Sequence, residues 1–204
     1  MLAAKGQEKQ QTILQHATRH RFSVADYKRM GEVGILTEDD RVELLDGEIR
    51  NMSPVDAKHA AMVKRLSSLI NQLIGTKYII GVQDPVQLHD FSEPLPDISI
   101  LHWRDDFYEA SHPFAEDILL LIEVANTSDK YDRNEKLPRY AAAAIPEVWL
   151  LNIAKQTVLQ CSQPVNHEYN KQIEHKRGTT LQSALIAELK VSIDSLFTTK
   201  HRHQ

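Results

Sequence analysis

Apolar and polar positions change period several times along the chain, and each change predicts an element. Met62, Val63, Leu66, Ile70 and Leu73 recur at helical spacing, with Lys64, Arg65, Ser68 and Asn71 outside the stripe. A long helix therefore follows Pro54 and Asp56 and closes at Gly75, with His59 on the apolar stripe one turn before Val63. Residues 119–125 behave differently. Aliphatic side chains fill both faces of that run, as in a buried strand, and the pattern is broken only by Glu123. Residues 41–49 form two short alternating runs around Asp46-Gly47, the signature of a tight type I′ hairpin. The alternation puts Glu43 and Leu45 on one face and Val42 and Leu44 on the other.

The remaining stretches fill in around these three. Ser23 is placed to cap a helix with Asp26 in its first turn, running through Tyr27 and Met30 and ending near Gly31 or Gly34. Residues 78–82, 86–88 and 95–101 read as strands, the last led by Asp97, and residues 103–116 as a polar loop with aromatics. A helix after Asn126 ends in the alanines at 141–144. Pro138 belongs in a first turn, so this helix is expected to start near Asp132 or Asn134, with Lys136 close to its N-terminus. Residues 147–151 and 157–161 make a second hairpin. The rest suits one more strand pair and a short terminal helix. One α/β domain over residues 21–200, preceded by a loose extension over 1–20, accounts for the whole pattern.

Composition narrows the class. With 204 residues, 42% hydrophobic and 25% charged, the chain can build one real core. A net charge of −4 argues against a protein that coats nucleic acid by bulk electrostatics, while leaving room for a local basic patch. Cys161 is the only cysteine, so no internal disulfide can form, and it reads as a small apolar filler. No apolar run approaches the ~20 residues that span a bilayer, and residues 1–11 lack the apolar core of a secretory signal. A cytoplasmic location is expected.

A carboxylate in an apolar strand such as that of Glu123 requires compensation by a partner or a metal. Metal-assisted phosphodiester hydrolysis needs oxygen ligands on rigid elements with open positions beside them, and Asp97 and Glu123 meet that need if their strands are neighbours. A lysine two positions after the glutamate would share its face, but that position is Ala125. Lys136 is the candidate to reach back over the strand, to orient or deprotonate the attacking water or to stabilise charge on the phosphate. The plainer reading makes Asp97 a turn residue and Glu123 the partner of Lys136 or Arg139 in a salt bridge. By the same reasoning, His59 is a packed or hydrogen-bonded histidine near the site rather than a ligand. Lys58, Lys64, Arg65, Arg133 and Arg139 are candidates for contacts to DNA phosphates, or else a solvated surface.

The hairpin at 41–49, Met52-Ser53-Pro54, His59, Pro96-Asp97, Ile122-Glu123-Val124, Lys136 through Ala141 and Ile145-Pro146-Glu147-Val148-Trp149 occur in an ordered combination that resembles the Uma2 family. The resemblance runs from about residue 22 to 197. It implies a restriction-endonuclease-like α/β domain of the PD-(D/E)XK nuclease superfamily, a mixed central sheet flanked by helices. It further implies Mg²⁺, with Mn²⁺ as the alternative, held by Asp97 and Glu123, a lysine displaced onto the next helix as Lys136, and Glu43 as an additional site carboxylate. Two departures stand out: Asn126-Thr127-Ser128 replaces the family's usual Ser-Pro-Ser, and Ala144 replaces a common glycine. The expected activity is metal-dependent endonucleolytic cleavage of DNA by a homodimer whose two sites address two strands. The competing reading is a nucleic-acid-binding or interaction protein that keeps the nuclease fold without turnover. A carboxylate-pair hydrolase in the style of glycosidases is a weaker third, since the nearby lysine and the lack of an aromatic-rich groove count against it.

Overall fold

In the computed structural model, which describes residues 19–37, 39–126 and 129–197, strand parity decides what meets what. The central sheet has six strands in the order β3-β4-β5-β6-β7-β8: β3 (Ile79–Val82), β4 (Ile98–Leu101), β5 (Ile118–Ala125), β6 (Glu147–Asn152), β7 (Thr157–Val165) and β8 (Glu168–His175). Only β5 and β6 run parallel, so the sheet is mixed. One face of β5 sends Leu120, Ile122 and Val124 into a core with Leu66 and Ile70 of the long helix α2 (Ala57–Ile74). The opposite face sends Leu121 toward Leu137, Tyr140 and Ala141 of a later helix. Glu123 shares the parity of Leu121, so it points at that later helix and away from α2.

The local signals produce the expected elements. Ser23 and Asp26 form a capping box at the head of α1 (Val24–Glu32). Strands β1 (Val42–Leu45) and β2 (Glu48–Asn51) pair through Leu45 and Glu48, with Asp46 at φ 49° and Gly47 at φ 81°, as a type I′ turn requires. Asp56 caps α2 by accepting from the backbone N–H of His59 at 2.8 Å. Cys161 is fully buried in β7. At the C-terminal end, β9 (Thr180–Gln182) pairs with β10 (Lys190–Ser192), and α5 (Ile193–Phe197) follows. This small unit is tied to the sheet by Glu147, whose Oε2 accepts from Ser183 Oγ at 2.7 Å and the Ala184 N–H at 2.9 Å. Its Oε1 accepts from Trp149 Nε1 and Gln160 Nε2.

Two expectations are corrected. Residues 86–88 form no strand: Gln87 makes one isolated bridge to Phe114, and the Val86 N–H turns to the Pro94 carbonyl. The helical segment before Pro138 starts at Asp129 rather than near Asp132 or Asn134. It runs as α3 (Asp129–Tyr131), a π turn (Asp132–Lys136) and α4 (Leu137–Ala142), with the Leu137 N–H bonded to the Asp132 carbonyl. In a regular α-helix the Pro138 ring would press on the carbonyl four residues back; the wider turn removes that conflict. Residues 127 and 128, and the proposed extension up to residue 18, lie outside the described residues. Among the described residues no helix is long and apolar enough to cross a membrane.

Candidate active site

Asp97 stands immediately before β4, and the pairing of Ile98 with Ile122 places it beside Glu123 on the neighbouring strand. The two acids are linked through the backbone, since the Val124 N–H donates to Asp97 Oδ2 at 2.8 Å. His59 Nε2 meets the same Oδ2 at 2.9 Å, and Gln83 Nε2 donates to Oδ1 at 3.1 Å. His59 lies in the first turn of α2, at the end that approaches the β4–β5 pair. Its bond to Asp97 raises its pKa against the opposing effect of burial.

Glu123 is buried, at 3% exposure, and both of its bonds fall on Oε1. Lys136 Nζ donates from 3.2 Å and the Tyr140 hydroxyl from 2.5 Å. Lys136 and Tyr140 are four residues apart and so lie on one helical face, which explains why a single carboxylate oxygen receives both. Among the described residues, Glu123 Oε2 receives no hydrogen bond. The Lys136 ammonium also lies 3.2 Å from Glu43 Oε2 and donates to the Leu95 carbonyl at 3.1 Å. Glu43 is held in turn by the Leu95 N–H at 3.2 Å and the Tyr131 hydroxyl at 3.0 Å.

The structure therefore brings Asp97, Glu123, Lys136, Glu43 and His59 together around one pocket. The pocket also contains groups that the sequence did not single out. Asp132, Tyr131 and Gln83 line it, and Tyr140 lies behind it. Of these, Tyr140 had a sequence signal, its four-residue spacing from Lys136; Gln83 and Asp132 had none.

The electrostatics are those of crowded carboxylates sharing one ammonium. Burial works against the charge of Lys136, but Glu123 and Glu43 outweigh it, and its pKa lies above the ordinary lysine value. Burial pushes the Glu123 carboxyl up to about 8; Lys136 opposes this, while Asp132 and Asp97 add to it. Such a site is short of positive charge. Among the described residues no group of three or more histidine, cysteine or acidic side chains is arranged to hold a metal. The donors that are present are hard oxygens, and Mg²⁺ characteristically takes one or two carboxylates and keeps several waters. Asp97 and Glu123 fit an ion of that kind.

Comparison with known proteins follows the same line. The model of the Uma2 family, described as "Putative restriction endonuclease", matches residues 24–194. A crystal structure of "a putative nuclease belonging to DUF820" from Anabaena variabilis ATCC 29413 superposes with a TM-score of 0.66 and 17% identity, covering 86% of this chain and 97% of that one. At that identity the likeness is one of fold. No curated protein matches the chain.

Proposed function

Since the chain belongs to the Uma2 family, we propose that it is a metal-dependent endonuclease hydrolysing DNA phosphodiester bonds at the pocket between α2, β5 and α4. The observation that carries this reading is the convergence of Asp97 and Glu123 on adjacent strands with the Lys136 ammonium 3.2 Å from Glu123. Asp97 and Glu123 would hold Mg²⁺ or Mn²⁺, which when bound supplies Lewis-acid polarisation of the phosphoryl group.

The other residues act through charge and position. Lys136 is held protonated, which suits stabilisation of negative charge on the phosphate better than removal of a proton from water. Glu43 fixes the ammonium from its second side, and Tyr131 fixes Glu43. His59 and Gln83 orient Asp97, one on each carboxylate oxygen. A homodimer would place two such pockets on the two strands of a duplex.

One observation favours a second reading, a nucleic-acid-binding protein without turnover: no three-ligand group is formed among the described residues. The test uses purified full-length chain with plasmid and oligonucleotide DNA in Mg²⁺, Mn²⁺ or EDTA, beside Asp97→Ala and Lys136→Ala. The nuclease reading expects metal-dependent cleavage that both substitutions abolish. Equal cleavage by all three proteins would remove these residues from the chemistry. DNA binding with no cleavage in either metal would establish the second reading.

A further inference from the structure

The elements that build the pocket continue past it into a groove lined by four arginines. In the β1–β2 hairpin Glu43 stands directly opposite Arg50, so a site carboxylate and a groove guanidinium share one face. On α4, Arg139 lies three residues beyond Lys136, one turn further along the same helical surface. The groove's third side is the segment carrying Arg19 and Arg21, laid against the hairpin turn by the bond from the Phe22 N–H to the Gly47 carbonyl at 2.9 Å. Gly47 permits that approach: a Cβ there would stand 2.6 Å from the Cβ of Arg21.

The arginines are held without being fully neutralised. Arg19 pairs with Glu48 at 3.0 Å, and Arg50 pairs with the other oxygen of the same carboxylate. Arg139 pairs with Asp46 at 2.8 Å, and with Glu135 behind the groove at 3.2 Å. Arg21 Nε donates to the main-chain carbonyl of Asp46 at 2.7 Å, and its guanidinium lies over the Phe91 ring. A carbonyl and a ring orient that charge but do not cancel it. Arg139 Nε is buried with no hydrogen-bond partner among the described residues. In a protein of net charge −4, four guanidinium groups around one groove run against the average.

We propose that this groove binds phosphates of the DNA strand leading into the Asp97–Glu123 pocket, with Glu48 and Asp46 as internal stand-ins that keep the arginines extended until phosphate displaces them. The inference rests on the reading of DNA as substrate and adds the path the strand takes. Guanidinium forks match phosphate oxygens two at a time, and exposed arginine–carboxylate pairs are weak enough to exchange. Arg50 of the groove pairs across the hairpin with Glu43 of the pocket, and Arg139 of the groove stands one turn from Lys136, so a strand lying in the groove has the pocket beside it.

The test follows binding of the full-length chain to a labelled duplex oligonucleotide by fluorescence anisotropy, in EDTA and again in Ca²⁺, over about 50 to 200 mM salt. Arg21→Gln combined with Arg50→Gln should weaken binding and lower the slope of log K against log salt by about two, one for each phosphate no longer neutralised. Glu48→Gln should do the opposite and tighten binding several-fold, because it frees Arg19 and Arg50. Opposite signs from two changes in one groove cannot come from misfolding. Wild-type binding with an unchanged slope in the arginine variant, or weaker binding by Glu48→Gln, would overturn the groove while leaving the DNA reading in place. A wild-type chain that binds no DNA at the lowest salt in either condition would overturn both.

Discussion

Tyr140 donates its hydroxyl to Glu123 at 2.5 Å, on the same oxygen that receives the Lys136 ammonium. Tyr140 is fully buried and donates to no other acceptor among the described residues, so its hydroxyl is committed to holding this carboxylate. Tyr140→Phe keeps the ring and removes the bond. At about pH 9, above the Glu123 pKa of about 8, we expect a loss of about 1.5–3 kcal/mol, the usual size for a bond to a charged group, read from the urea midpoint at constant m-value. A loss below about 0.5 kcal/mol would show that Lys136 alone fixes Glu123.

Glu123 also makes stability depend on pH. Its folded pKa of about 8 lies above the ordinary 4.5. Between those values the folded state holds a proton that the unfolded chain has released. The contribution is therefore complete below about pH 4.5 and is lost as pH rises through about 8. In EDTA, Glu123→Gln should flatten the decline of unfolding free energy across this window. A variant whose stability falls as steeply as wild type would place the titration elsewhere.

A divalent cation held by Asp97 and Glu123, as proposed, would stabilise the fold by mass action. At a hundred times its dissociation constant it adds about 2.7 kcal/mol, or some 5–10 °C in Tm for a domain of this size. Asp97→Asn should abolish the Mg²⁺-induced shift without abolishing folding, since His59, Gln83 and the Val124 N–H can still meet an amide oxygen in part. The same shift persisting in both Asp97→Asn and Glu123→Gln would move the metal away from these acids.

Ala144 ends α4 with φ 57°, in the left-handed region, and is followed by Ile145-Pro146. A side chain there costs about 1–2 kcal/mol, partly offset by the backbone entropy a glycine would lose. Ala144→Gly should raise stability by about 0.5–1 kcal/mol in urea unfolding and leave DNA binding unchanged. The conformation also gives a physical reason for the glycine that the family resemblance implies at this position.

Local rules made much of this legible. Ser23 and Asp26 announced a capped helix start, Asp46-Gly47 its turn, and the stripe on α2 its buried face. Alternation alone put Glu123 and position 125 on one face, and the empty lysine position at Ala125 pointed to Lys136; that this face lies opposite α2 came from the packing of Leu120, Ile122 and Val124. Where the sequence misled, the tertiary context prevailed. Val86 and Leu88 are buried apolar residues in an extended run, so they imitate a strand, but their backbone pairs with a neighbouring loop. Pro138 points to a late helix start only if the turn before it is α-helical, and here that turn is π. Gln83 and Asp132 entered the pocket unannounced, since a polar residue in a turn and an acid in a helix look the same whether or not the fold points them at a site. Arg139, a candidate DNA contact by sequence, is paired with Asp46 and Glu135, and only its place in one lining with Arg50 reveals the groove.

The π turn at Asp132–Lys136 carries one residue more than an α-helical turn would. Relative to an unbroken α-helix of the same sequence, every position after it is set back by one residue's rotation, about a hundred degrees. Tyr140 comes after the turn, so its phase depends on that extra residue. A chain one residue shorter between Asp132 and Leu137 would close the turn as plain α-helix and leave Tyr140 facing Glu123, whereas straightening the turn at full length would swing the hydroxyl off the carboxyl. One wide turn thus sets the angle at which the second half of a helix addresses a buried acid.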